Sequence, residues 1–495
     1  MNVSAAANES PGIGLPLRNF GLSLTSKIVS LGAHLAFVML TARLFSKEEV
    51  AVIAVIGIVT IVMDVCKGMG LGTLLLKRLP QMGESEAAEA RVMTVTYLYY
   101  SFLPPLLLVT AGLAYPIVSG WLGFSHLHHS NIFRLGLAMS FFTVLSNTNI
   151  LALQAMQRFG NLAILTLLTA ALQRLLPCLA AAWFGWDLER FMTWSAAAAA
   201  LGFAVSCIPL VPSLSGGGFG MLRWKQFWPD SRHFFATSLL RYGATQIDQL
   251  VVAVMFPPAT LAVYFMLRRL YSLGVVLVGS MIDALVPELA QQAGSDPAAA
   301  RARLAKWSRL SSFAGSTGAA LMAGNGSAVI EMLLGPGYGD DPLLIALFAA
   351  STSLYFLYCF SQVDLVLFQA PERILWMAAA TAAANLMAGP IISHWLGVHS
   401  VPLAMLAGYL LGLVVAGWQR GTGPAHRRLW RIREVGDGLA VVALASLTPI
   451  LARHVLLHEW ERFVAINLTI CIIVGAHFCR NQLGFSLLRL GHRTA

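Results

Sequence analysis

Long apolar runs alternate along the chain with short breaks rich in polar residues, glycine and proline, and the runs are far longer than strands. A helix needs about 20 residues to cross a hydrocarbon core of about 30 Å. On that measure the pattern predicts fourteen spans, over residues 20–44, 48–68, 92–120, 132–156, 161–185, 190–212, 233–256, 259–284, 310–334, 343–369, 373–396, 400–419, 437–457 and 462–480. The expected fold class is an all-α integral membrane protein, because only a helix or a closed barrel satisfies its own backbone groups in lipid. The first 19 residues lack the basic start, apolar core and small-residue cleavage site of a secretory signal, so the first span is expected to stay in place.

Charge in the breaks orients the spans. With the N terminus inside, the cytoplasmic segments collect most of the Lys and Arg, among them Lys77, Arg78, Arg91, Arg158, Arg223, Lys225, Arg301, Arg303, Lys306 and Arg309. The opposite side receives only Arg43, Lys47, Arg134, Arg190, Arg453 and Arg462. A missed span would swap every later loop, so this asymmetry supports both the count and cytoplasmic termini. Composition agrees: the 495 residues are 57% hydrophobic and 11% charged, against roughly 25% charged in soluble domains. The net charge of +10 is spread over short loops and does not form the clustered basic face that nucleic acid requires. The six cysteines show no metal or disulfide spacing and read as small core residues.

The chain also resembles itself. ARLFSKEEVAVI from Ala42 aligns with AVMFPPATLAVY from Ala253 at an offset of 211, and LQAMQRF from Leu153 aligns with FQAPERI from Phe368 at 215. A period of six spans is even, so both halves share one orientation and are related by an axis along the membrane normal. The expected organisation is a bundle over 1–212 (spans 1–6), a cytoplasmic linker over 213–232, a second bundle over 233–419 (spans 7–12), extra spans 13 and 14 over 437–480, and a cytoplasmic tail over 481–495. The linker's SGGGFG reads as a flexible connection, since no GxxxxGK[ST] accompanies it.

Charges within the spans are the candidate chemistry. One at the bilayer centre costs roughly 2.5–3.5 kcal/mol, so it is expected to face protein or a wet cavity. The cations are Lys27, Arg174, Arg241, Arg268 and Arg269; the acids are Asp64, Asp248 and Asp364. Ser23, Lys27, Ser30, His34 and Thr41 lie on one stripe of span 1, and Arg241, Thr245 and Asp248 on one stripe of span 7. The offset of 211 superposes the two stripes, which suggests two polar helix faces lining one cleft. Adjacent residues point about 100° apart on a helix. Arg268 is therefore expected to face the cleft and Arg269 to pair with Asp248 or Asp364, the reverse assignment staying open. Cations outnumber acids, which favours an anionic cargo, and arginine's fork of donors suits phosphate.

These stretches resemble the polysaccharide flippases, transporters of undecaprenyl-diphosphate-linked oligosaccharides in the superfamily that also holds multidrug extruders and lipid II flippases. The likeness is carried by TARLFSKEEVAVIAVIGIVTIVMDVCKGMGLGTLLLKRLPQ (Thr41 to Gln81), LQAMQRFGNLA (Leu153 to Ala163) and QIDQLVVAVMFPPATLAVYFMLRRLYSLGVVLVGSMIDALVPELA (Gln246 to Ala290). It implies two six-helix bundles in a V, a cationic lumen and alternating access. It places Asp248 on the family's acidic position in span 7, Arg269 on the basic position in span 8 and Lys27 on a first-span cation. The sequence departs from the family at FPP (Phe256 to Pro258) and QAPER (Gln369 to Arg373).

The function expected is a flippase of the bacterial inner membrane serving exopolysaccharide or O-antigen synthesis, not an enzyme. Lys27, Arg174, Arg241 and Arg268 would hold the phosphates. No cofactor is expected; Asp64, Asp248 and Asp364 are candidates for H⁺ or Na⁺ coupling or for ion pairing, with coupling to the membrane potential as the alternative, and the choice stays open. The expected partners are the lipid-linked oligosaccharide, the membrane and a polysaccharide polymerase or export machinery. The alternatives are a multidrug or metabolite antiporter, a lipid II flippase, and a membrane glycan polymerase or ligase, which would need a larger outward loop. His126, His128 and His129 read as an exposed loop, and GPGYGDDP (Gly335 to Pro342) as a turn, each in preference to a metal site.

Overall fold

A computed structural model describes residues 14–79, 82, 86–113, 130–211, 223–368, 372–419, 439–447, 466–470 and 472–473. The elements are α1 (Gly14–Leu44), α2 (Lys47–Cys66), α3 (Leu71–Arg78), α4 (Ala87–Leu113), α5 (Ser130–Ala155), α6 (Phe159–Ala170), α7 (Leu176–Phe184), α8 (Leu188–Cys207), α9 (Trp224–Thr245), α10 (Ile247–Met255), α11 (Pro258–Ser295), α12 (Pro297–Leu334), α13 (Pro342–Phe368), α14 (Glu372–Leu396) and α15 (Ser400–Gln419). Residues 439–447 and 466–470 are helical within predicted spans 13 and 14, so helix falls in all fourteen. Among the described residues, eight helical stretches, one of them α14 and α15 together, are long and apolar enough to cross a membrane. The chain separates into two compact units, Met1–Leu239 and Leu240–Ala495.

In the first unit α5 is the central helix, packed against α2, α4 and α8. Hydrogen bonds stitch it in place: Thr60 of α2 to Ser140 at 2.6 Å, and Asn149 to Ser206 of α8 at 2.8 Å. Ser46 starts α2 with a capping box closed by Glu49. After α2 the chain makes a left-handed kink through Gly68 (φ 62°), Met69 (φ 46°) and Gly70 (φ 84°) before the amphipathic α3. A Cβ on Gly70 would collide with the Ser231 carbonyl and the Phe235 amide of α9, so glycine is required there for backbone approach as well as for φ.

α9 revises the expected linker. Residues 212–222 lie outside the described residues, but Trp224 onward is helix, with Trp224, Phe227 and Phe234 in the apolar cluster of Leu71, Leu75, Tyr97 and Leu153. Asp230 takes Arg78 at 2.5 Å. Trp224, Phe227 and Trp228 recur at the i, i+3, i+4 spacing of a helix face, a pattern hidden by the intervening Lys225 and Gln226 and the Pro229 that follows.

In the second unit α13 is central: 78% of its apolar window is buried, against α11, α12 and α15. α11 and α12 run on past their predicted spans and meet at Asp296, whose carboxylate caps Ala298 N and Ala299 N at 3.1 and 3.0 Å. The residues after Asp296 are mostly strong helix formers (Ala, Arg, Leu, Lys) and so continue the helix. Spans 13 and 14 sit on α12 through small residues: Ala320 and Ala323 meet Val441, Val442 and Ile470, and Asn325 exchanges hydrogen bonds with Asn467 at 3.2 and 3.3 Å. The GPGYGDDP segment is a turn in which Asp341 caps α13 at Leu344 N (2.9 Å) and binds His399 at 2.7 Å. The His126, His128 and His129 loop lies outside the described residues.

Candidate functional site

Span 7 is not one helix. α9 stops at Thr245, Gln246 leaves the helical region (φ −137°, ψ −12°), and α10 begins at Ile247. A break within a span strands backbone carbonyls in a place without water, and each must find a donor. Asn385 of α14 donates through Nδ2 to Ala244 O at 2.7 Å, and a terminal nitrogen of Arg268 donates to Thr245 O.

Arg268 is 3% exposed and Asp248 is likewise buried, at 3%. Arg268 Nε donates to Asp248 Oδ2 at 2.8 Å, the Tyr264 hydroxyl donates to the same oxygen at 2.7 Å, and the guanidinium lies 4.5 Å from the centre of the Tyr271 ring. Tyr271 continues the chain of polar contacts to the Tyr409 hydroxyl at 3.3 Å, and Tyr409 packs on Tyr355 and Tyr358 with ring centres 5.5 and 5.2 Å apart. Arg241, exposed, lies near Tyr355, Tyr358 and Cys359.

Asp248 therefore takes Arg268, the alternative that the sequence left open, and not Arg269. Arg268, assigned to the cargo, is neutralised by Asp248; it stands i+4 from Tyr264 and i−3 from Tyr271, the stripe that faces the break. Arg269 turns to the side and stacks at 4.7 Å on Phe265. Asp364 is buried on α13 at 7% exposure. None of Tyr264, Tyr271, Tyr355, Tyr358, Tyr409 and Asn385 was singled out in the sequence, although Tyr264–Arg268–Tyr271 already lie at one-face spacing.

The first unit presents a different arrangement. Span 5 is interrupted by a π turn, Ala171–Leu175, joining α6 to α7. Pro177 follows it; in a regular helix its ring would meet the Gln173 carbonyl and could not donate to it, and the wider turn relieves that clash. Gln173 points inward, 3.4 Å from Ser146 Oγ and against Gly202, and its neighbour Arg174 is exposed. Among the described residues no carboxylate meets Arg174. Asp64, at the end of α2, accepts from Lys67 at 2.7 Å and from Asn147 at 3.3 Å. Lys27 falls on α1, its side chain outside the described residues. Among the described residues no cluster of three or more His, Cys, Asp or Glu is arranged to hold a metal.

The sequence over residues 40–340 matches the model of the family described as polysaccharide biosynthesis protein. The chain belongs to that polysaccharide biosynthesis family. No curated protein matches it. Among solved structures it is similar to the lipid II flippase MurJ in an inward closed conformation, at 13% identity and a TM-score of 0.69, over 94% of this chain and 100% of that one. It is also similar to a variant of the Vibrio cholerae MATE transporter VcmN (13% identity, TM-score 0.60, 83% of this chain and 97% of that one). A third is a multidrug resistance MATE family transporter of the MOP superfamily in an outward-facing conformation (15%, 0.56, 82% and 95%). At these identities the likeness is one of fold. The family assignment agrees with the resemblance carried by Thr41 to Gln81 and Gln246 to Ala290.

Proposed function

We propose that this protein is a flippase that moves undecaprenyl-diphosphate-linked oligosaccharide across the bacterial inner membrane by alternating access, with both termini in the cytoplasm. The observation that carries the reading is that Arg174 and Arg241, each within a predicted span, are exposed and meet no carboxylate among the described residues, in a member of a polysaccharide biosynthesis family. Guanidinium groups so placed are suited to a diphosphate, which offers oxygens for bidentate contacts. Lys27, on α1, is assigned to the same cargo. The acids favour this reading over an organic-cation antiporter: Asp64 is held by Lys67 and Asp248 by Arg268, so neither offers a bare carboxylate to a cationic drug. A polysaccharide polymerase or export complex is the expected recipient of the flipped glycan.

The test is charge reversal. Arg174→Glu and Arg241→Glu chains that reach the membrane at normal level are expected to abolish surface polysaccharide and to leave lipid-linked precursor on the cytoplasmic leaflet. Normal export by both variants overturns the reading.

A further inference from the structure

The break in span 7 gathers oxygens. The Thr245 carbonyl, the Asp248 carboxylate, the Tyr264 hydroxyl and the Asn385 amide all lie at or beside it, Asp248, Tyr264 and Asn385 being buried. Two of them, Asp248 Oδ1 and Asn385 Oδ1, are buried and accept no hydrogen bond among the described residues. Carboxylate, carbonyl and hydroxyl oxygens are the donor set of a hard cation, and carbonyls freed where a membrane helix is unwound are a usual place for one. Here the positive charge is already present, since Arg268 bonds both the freed Thr245 carbonyl and Asp248. Its guanidinium is held against Tyr271 and cannot leave.

The repeat sharpens the point. Under the offset of 211, Asp248 corresponds to Phe37 and Arg268 to Gly57, and the helix that carries Phe37, α1, runs unbroken through that position. Acid, arginine and break occur together in the second unit, and at the matching positions of the first unit all three are absent.

We infer that Arg268 is a tethered counterion that fills the place of an inorganic cation at the span 7 break, so that this protein neither binds nor requires Na⁺ at Asp248. The arginine and the carboxylate leave the site neutral, and a further cation would enter a low-dielectric region beside a fixed positive charge. Coupling through Asp248 is thereby removed from the ways this transporter is energised.

The experiment uses the purified full chain in detergent, its thermal unfolding followed in NaCl and in choline chloride of equal ionic strength. The wild type is expected to melt at one temperature in both salts. Arg268→Met is expected to melt lower in choline and to recover part of the loss in NaCl, and Asp248→Asn/Arg268→Met to be indifferent to the salt. A wild-type melting temperature that rises in NaCl, with the rise lost in Asp248→Asn, overturns the inference. So does an Arg268→Met chain that gains nothing from Na⁺. If Arg268→Met cannot be purified, the wild type and Asp248→Asn decide alone through binding of radioactive Na⁺: none to either is expected, and binding to the wild type that Asp248→Asn removes overturns the inference. No glycan enters the assay, so its outcome is independent of the cargo proposed above.

Discussion

α1 and the α9–α10 pair are the first spans of the two repeats expected from the sequence, yet one is a single helix and the other is cut at Gln246. In the second unit the cut is filled by a buried ion pair, Arg268 with Asp248, and by Asn385 on the carbonyl of Ala244. In the first unit the irregular backbone lies elsewhere, in the π turn of span 5 and the left-handed kink after α2, and the arginine presented there, Arg174, is exposed. The contrast teaches that a charge within a span plays one of two parts. It completes the backbone's hydrogen bonding, or it remains available to something that arrives. Burial and partner separate the two, whereas residue type does not.

The sharpest way to break this comparison is to remove one partner of the buried pair. Asp248→Ala leaves Arg268 charged and enclosed, and should cost about 3–5 kcal/mol of stability. Denaturant melts in detergent would show it, and only part of the loss should return in Asp248→Leu/Arg268→Met, because the Thr245 carbonyl and the Tyr264 hydroxyl then lose their partners. Arg174 should behave in the opposite manner. Arg174→Gln is expected to leave the melt unchanged while export falls roughly tenfold to a hundredfold, since a hydrogen bond to a charged group is worth about 1.5–3 kcal/mol. A large loss of stability in Arg174→Gln would erase the distinction. The kink of the first unit is next: Gly70→Ala, with φ 84° and α9 directly against it, should destabilise by about 1–3 kcal/mol without touching any charge. The smallest effect belongs to Asn325 and Asn467, whose double-mutant cycle should return about 0.6 kcal/mol, the usual worth of a hydrogen bond between membrane helices.

Much of the architecture was legible beforehand. Length and hydropathy fix where helices cross, and the turn chemistry at Ser46 and Pro257–Pro258 marks the same repeat position twice. The helical continuation at Asp296 carried its own signal, an Asp followed by Pro, but charge density suggested a loop. The N-terminal part of α9 was obscured because Lys225 and Pro229 interrupt its apolar face to the eye, although not on the helix. At the candidate site the charged residues were found, and the mistake lay in which arginine Asp248 takes. A pair of adjacent arginines has two faces to choose from, and the choice depends on Thr245 O, which becomes an acceptor only once the helix breaks.

The sequence by itself determined that this chain is helical and membrane-spanning and that it holds more cations than acids within its spans; these follow from local length, periodicity and composition. Tertiary structure alone decided that Arg268 is spent on Asp248 and a stranded carbonyl while Arg174 is exposed. The reason is that pairing in a low dielectric is settled by atoms brought together from α9, α10, α11 and α14, more than a hundred residues apart in the case of Ala244 and Asn385.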